Sequence, residues 1–227
     1  AGYAMTTGVE NTIVGGLAGD ALTTGSYNVA LGRQALSTED TGSRNTAVGY
    51  NSLSTLNFDG NGYNTAVGFS AGEVMTTGVE NTIIGASAGD ALTSGGYNVA
   101  VGTSSLSAST TSSFNVAVGR SALATNILGS RNTAIGHQAL FTHNVGTAAD
   151  TYNTAVGYKA GTLITTGVQN TLIGGLAGDA LTTGSENVAI GHQALSTEDA
   201  HGKNIAIGRQ ALHTLNAGAN GFNVAVG

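Results

Sequence analysis

The sequence predicts an all-β fold, a parallel β-solenoid of 13 coils with about 17 residues in each, on three observations. A five-residue motif (Asn, a β-branched residue, an apolar residue, Val/Ile/Leu, Gly) begins at Asn11, Asn28, Asn45, Asn64, Asn81, Asn98, Asn115, Asn132, Asn153, Asn170, Asn187, Asn204 and Asn223. The step between copies is 17 residues nine times, 19 twice and 21 once. Within the motif, position 2 is always Thr, Val or Ile and position 4 is Val or Ile in every copy but one, Leu31. Such side chains are stiff at χ1 and suit a pleated surface, so the motif reads as a strand.

A strand alternates its faces, so positions 2 and 4 point one way and position 3 the other. Position 3 is Ala in ten copies and Ile13, Ile83 or Leu172 in the rest. Both faces are apolar, which predicts burial on both sides, one inside the coil and one against another subunit. The position-3 face is expected to be the one buried between chains. The Asn at position 1 is expected to form a structural ladder, each amide donating to one neighbour and accepting from the other. The Gly at position 5 marks a positive-φ corner or an approach too close for a Cβ.

The second half of each unit has its own rules. Position 8 is Ala in ten units and Ser in two; position 9 is Leu in seven and Gly in five. Aliphatics reappear two or three places after each Gly, so a second short strand with a shifted apolar anchor is expected, followed by a Thr/Ser/Gly turn. Where position 3 is large, position 6 is Gly16, Ala86 or Gly175; elsewhere it is usually bulky, as in Arg33, Tyr50 or Phe69. Large beside small suggests that these positions pack together. Above the 17-residue period lies a longer one, with residues 1–70, 71–159 and 160–227 opening alike. The chain is read as one solenoid segment, residues 1–227, of a longer fibre, since neither end carries a polar cap.

Composition excludes several functions. Charged residues are 9%, the formal net charge is −6 and Lys plus Arg total seven, so the clustered basic footprint of a nucleic-acid binder is missing. There is no Cys for a disulfide or thiolate site, and no apolar run near the ~18 residues of a membrane helix, so no membrane insertion is expected. No catalytic, cofactor or metal site is expected. Five His are scattered and read as solvent-facing, with His137 and His192 sharing position 6. Asp20, Asp90 and Asp179 read as turn caps, and Glu39–Asp40 and Glu198–Asp199 as solvated turn charges. A row of residues before each Asn, including Tyr27, Tyr63, Tyr97, Phe114, Tyr152 and Phe222, either stacks on sugar rings or covers the coil edge.

The stretch Asn132-Thr133-Ala134-Ile135-Gly136-His137-Gln138-Ala139-Leu140 is similar to the head repeats of YadA-like trimeric autotransporter adhesins. It resembles still more the Asn-Thr-Ala-Val-Gly-Tyr-Gln-Ala-Leu repeats of phage and viral tail fibres. The resemblance covers essentially the whole chain, although autotransporter heads use a shorter unit. It implies a left-handed parallel β-roll, a homotrimer, and an extracellular location as a virion tail fibre or on a cell surface. The expected function is therefore that of a structural and attachment fibre segment that binds a host-surface glycan or protein. The alternatives are a purely structural extracellular filament and an ice-binding solenoid, the latter suggested by Thr-Thr pairs beginning at Thr6, Thr23, Thr76, Thr165 and Thr182. Recognition is expected on the three lengthened turns, through Asn57, Phe58, Asp59 and Tyr63, through His143, Asp150 and Tyr152, and through Asn216, Asn220 and Phe222.

Overall fold

In a computed structural model, residues 1–216 and 218–227 are described; Ala217, in the third lengthened turn, lies outside them. The chain is all-β, a parallel solenoid of 13 coils, and no helix occurs among the described residues. It divides into two compact units, Ala1–Ser113 and Phe114–Gly227. The first holds β1 (Thr12–Val14), β2 (Val29–Leu31), β3 (Thr46–Val48), β4 (Thr65–Val67), β5 (Thr82–Ile84) and β6 (Val99–Val101). The second holds β7 (Val116–Val118), β8 (Gly129–Ser130), β9 (Thr133–Ile135), β10 (Ala149–Asp150), β11 (Thr154–Val156), β12 (Thr171–Ile173), β13 (Val188–Ile190), β14 (Ile205–Ile207) and β15 (Val224–Val226). Motif strands pair in parallel with motif position on motif position, Thr12 with Val29 and Thr171 with Val188, even across the 21-residue unit, where Thr133 meets Thr154. Insertions therefore bulge from the turns and leave the register of the strands unchanged.

The expected second strand does not form. Positions 6 to 9 are successive turns in which φ alternates in sign, positive at positions 7 and 9, as at Gln34 (58°) and Leu36 (52°). The alternation sends N–H groups two residues apart to opposite neighbours: Gln34 donates back to Gly16 and Leu36 forward to Ser52, while Ala35 between them donates to Gly32 of its own coil. The coil thus keeps its backbone paired without a strand. A left-handed conformation costs a non-glycine residue roughly 1–2 kcal/mol. At position 9 that cost is offset by burying Leu36, Leu53, Leu106, Leu123, Leu140 or Leu195, worth about 1.5–3 kcal/mol each. Gly15 shows why position 5 is invariant: φ is 130°, and a Cβ there would sit 2.5 Å from the Gly32 carbonyl oxygen.

Burial corrects the expected use of the two strand faces. Position 3 is interior to its own coil, with Ala30, Ala47, Ala66, Ala100, Ala117 and Leu172 all at 0% exposure. Positions 2 and 4 face outward, and Val14, Ile84, Ile135, Ile173, Ile205 and Ile207 are exposed. The physical reason is the narrowness of the coil: position 3 shares the interior with positions 8, 9 and 12, and only a small residue fits at most levels. The partner of a large position 3 is likewise position 9, not position 6. A Cβ on Gly19 would touch Ile13 at 3.1 Å, one on Gly89 or Gly72 would touch Ile83 at 3.2 Å, and one on Gly178 or Gly161 would press on Leu172. Each large side chain lies between the glycines of its own coil and the preceding one, whereas Gly16 has open space around it.

Candidate functional site

Each Asn of the motif carries two sets of bonds. Its Oδ1 accepts the backbone N–H of the next Asn, at 2.9 Å from Asn28 to Asn11 and 3.0 Å from Asn187 to Asn170. Its Nδ2 donates to the carbonyl fourteen residues on, as from Asn28 to Gly42 at 2.9 Å and from Asn170 to Gly184 at 2.9 Å, closing its own coil. Side-chain contacts run between neighbouring amides as well, for example Asn81 to Asn64 at 3.2 Å and Asn170 to Asn153 at 3.1 Å. From Asn28 to Asn204 these side chains are buried; Asn11 and Asn223 lie in the first and last coils. The amides are thus engaged with the protein itself.

The lengthened turns break this closure and replace it. Asn45 redirects its Nδ2 to Ser43 (3.3 Å) and Asn132 to Ser130 (3.3 Å), because the carbonyl fourteen residues on no longer lies in place. The extra residues pair back on the coil beneath. In the first unit Ser43 bridges Asn61 and accepts the Gly62 N–H at 2.9 Å; in the second β10 pairs with β8. In both, an arginine lies between two rings at the residue before the Asn. Arg44 stands over Tyr27 (4.8 Å) and Tyr63 (5.8 Å), with its Nε on Asn61 Oδ1 at 3.1 Å. Arg131 stands over Phe114 (4.6 Å) and Tyr152 (6.0 Å), with its Nε 2.9 Å from Asp150, which also accepts the Tyr152 hydroxyl at 3.3 Å. At the third turn Lys203 lies 5.3 Å from the Phe222 ring and Asn220 accepts the Gly202 N–H at 2.9 Å.

Of the expected turn residues, Asn57, Asp59, Tyr63, Asp150, Tyr152, Asn216, Asn220 and Phe222 are exposed and Phe58 is half-buried. Asp59 accepts the Thr41 hydroxyl at 2.5 Å. His143 is a correction, being fully buried. It occupies position 12, which points into the coil and is Leu22, Leu92 or Leu181 elsewhere. Asn153 Nδ2 donates to its Nε2 at 3.1 Å, so Nδ1 carries the proton and donates to Asn126 Oδ1 at 3.3 Å. Burial holds the neutral ring with a pKa lowered to about 4.

Position 12 also corrects Glu39 and Glu198, which are buried and not solvated. Glu39 accepts the N–H groups of Gly42 (2.7 Å) and Phe58 (3.2 Å), tying the first long turn to the coil below it; burial pushes its carboxyl up despite those donors. Glu198 accepts His201 N–H (3.2 Å) and Nδ1 (3.0 Å). Glu198, Asp199 and His201 each place a ligand-type atom within 4.8 Å of the others, but the Glu198–His201 contact already serves to close the turn. Asp90 bonds its own turn and Ser87, with its carboxyl raised by burial. The first Thr of each Thr-Thr pair is committed as well: Thr23 Oγ1 donates to Asp40 (3.0 Å) and Thr182 Oγ1 to Asp199 (2.8 Å).

Sequence reasoning places Arg44, Arg131 and Lys203 in the row before each Asn but gives a part in recognition only to aromatic members of that row. The signal is present when the repeats are stacked, as aromatic, cation, aromatic at successive coils around Arg44 and Arg131, and as Glu186, Lys203, Phe222 at the third turn. At position 6 the rings also stack along the coil direction, Tyr50 on Phe69 at 5.3 Å and His137 on Tyr158 at 5.6 Å. Among the described residues no pocket occurs and no helix is long and apolar enough to cross a membrane. No family model, curated protein or solved structure matches the chain.

Proposed function

We propose that this chain is a segment of a structural attachment fibre, extracellular on a virion tail or a cell surface, in which identical chains associate as a homotrimer. The observation that carries the reading is the outward strand face. Positions 2 and 4 form two rows of Thr, Val, Ile and Leu with no charged residue, and several of them are exposed. Contiguous apolar surface of this kind marks an association site. Each coil has already closed its own core, so the cover is a second copy of the same regular surface. The resemblance to autotransporter head and tail-fibre repeats supports the same reading. Attachment falls to the pinned turns, whose Arg–aromatic clusters offer planar and polar groups to a host-surface glycan or protein.

Sedimentation of the wild-type chain and of Ile173→Lys tests assembly. A trimer that becomes monomeric when the outer row is charged supports the proposal; a wild-type monomer overturns it. Trimming all three turns to 17-residue units tests attachment. Binding to surface glycans or proteins that persists undiminished places recognition elsewhere, or leaves a purely structural filament.

The same outward face favours a second reading, ice binding, on different residues from the Thr-Thr pairs. Thr46, Thr65 and Thr82 lie at one register of neighbouring strands, each followed two residues later by Val48, Val67 or Ile84. Thermal hysteresis decides between the two.

A further inference from the structure

We infer that Asn220 is a self-modifying site, converting through a succinimide to aspartate and isoaspartate in the folded chain. The reaction needs a free backbone N–H on the following residue, room for that nitrogen to approach the carboxamide, and an electrophilic Cγ. Most asparagines here are shielded by the residue that follows them. Each motif Asn precedes a β-branched residue, and in eleven coils that residue's N–H is held by the next coil, as Thr12 by Asn28 and Val188 by Asn204 at 2.8 Å.

Two asparagines precede glycine, and both lie in lengthened turns at the same stage of the long repeat: Asn61–Gly62 and Asn220–Gly221. Their environments differ. The Gly62 N–H is engaged with the Ser43 carbonyl at 2.9 Å, which ties down the nucleophile. The Gly221 N–H has no hydrogen-bond partner among the described residues. The Asn220 Oδ1 accepts the Gly202 N–H at 2.9 Å, which polarises the carboxamide and stabilises the oxyanion that attack creates. Asn61 Oδ1 likewise accepts an N–H, from Arg44 Nε at 3.1 Å, so the Gly221 N–H, with no partner among the described residues, is what separates the two pairs.

In the step itself, solvent base takes the Gly221 amide proton and the nitrogen bonds to Asn220 Cγ. The Cγ–Nδ2 bond breaks and, with a proton returned to it, the amide nitrogen leaves as ammonia. Water then opens either imide carbonyl, giving aspartate or isoaspartate. Each event adds a carboxylate to the third turn and removes the Asn220 amide. The isoaspartyl product also lengthens the backbone by a methylene beside the last rung of the ladder. Gly221 is pressed so closely on Asn223 and Asn204 that a Cβ would overlap the Asn223 amide, and those two are joined at 2.9 Å. Conversion therefore loosens that rung.

The test is peptide mapping of the intact chain held folded in mildly alkaline buffer, with separation of aspartyl and isoaspartyl products, beside a sample held in denaturant. The expected result is conversion of both Asn61 and Asn220 in denaturant. In the folded chain Asn220 converts faster than Asn61 by about tenfold, because the Gly62–Ser43 hydrogen bond must open before the Gly62 nitrogen can attack. Equal rates in the folded chain, faster conversion at Asn61, or an intact Asn220 in folded samples whose denatured counterparts convert would each overturn the inference.

Discussion

At the scale of single residues, the inward positions carry the consequences that are easiest to measure. Ile83 fills a space left by Gly72 and Gly89, which have no side chain to move into a vacancy. Ile83→Ala is expected to destabilise the first unit by about 2–5 kcal/mol, read from the denaturant midpoint. The reverse change, Ala47→Ile, has no flanking glycines, only Leu36 and Leu53 in the corresponding places. It is expected to overpack and cost about 1–3 kcal/mol.

His143 gives the second unit a pH dependence. Its folded pKa, about 4, lies below the ordinary 6.5, so the unfolded chain binds the proton first. Stability is full above the unfolded value and falls as pH drops from 6.5 towards about 4, by up to about 3 kcal/mol. His143→Leu leaves Asn126 bonded to Gly129 and Asn153 to Gly167, and is expected to remove this dependence in acid titrations followed by denaturation. Glu39 acts in the opposite sense in the first unit. Its raised folded pKa favours the protonated folded state, so acidification through the carboxylate range adds stability there.

At the scale of the coil, the Asn is the closure. Asn170→Ala would leave the Asn187 N–H and the Gly184 carbonyl without their partner, two buried groups at about 1–3 kcal/mol each. A lowered denaturant midpoint with an unchanged slope is the expected outcome. The lengthened turns are additions to this scheme. Deleting Asp59 and Gly60 restores a 17-residue unit in which the Asn45 Nδ2 can regain a carbonyl fourteen residues on. Because closure entropy changes slowly with loop length, the melting temperature is expected to stay the same or rise slightly. A fall of many degrees would mean that the turn contributes to the coil beneath it.

At the scale of the whole molecule, the outward rows carry the proposed association. They hold no charge, so an assembly built on them is expected to be insensitive to ionic strength. Sedimentation at low and high salt checks this; dissociation at high salt would point instead to the Arg, Asp and Glu groups of the turns as the contact.

The sequence by itself determined the strand, the coil length, the parallel register and the Asn ladder, because a fixed period forces equivalent residues into equivalent places. The tertiary structure alone decided which face of the strand lies inside. With Ala on one face and Val or Ile on the other, hydrophobicity points outward; the narrow bore of the coil selects the smaller residue for the interior. It also decided that positions 6 to 9 are turns, since alternating φ leaves no mark in residue type where Gln34, Leu36 and Ser104 all accept a positive value. The same holds at position 12, where Leu22, Glu39, His143 and Glu198 share one inward place. A polar side chain there reads as a turn residue until the coil is closed around it. Only the closed coil supplies the backbone N–H groups and amides that make burial of such a group tolerable.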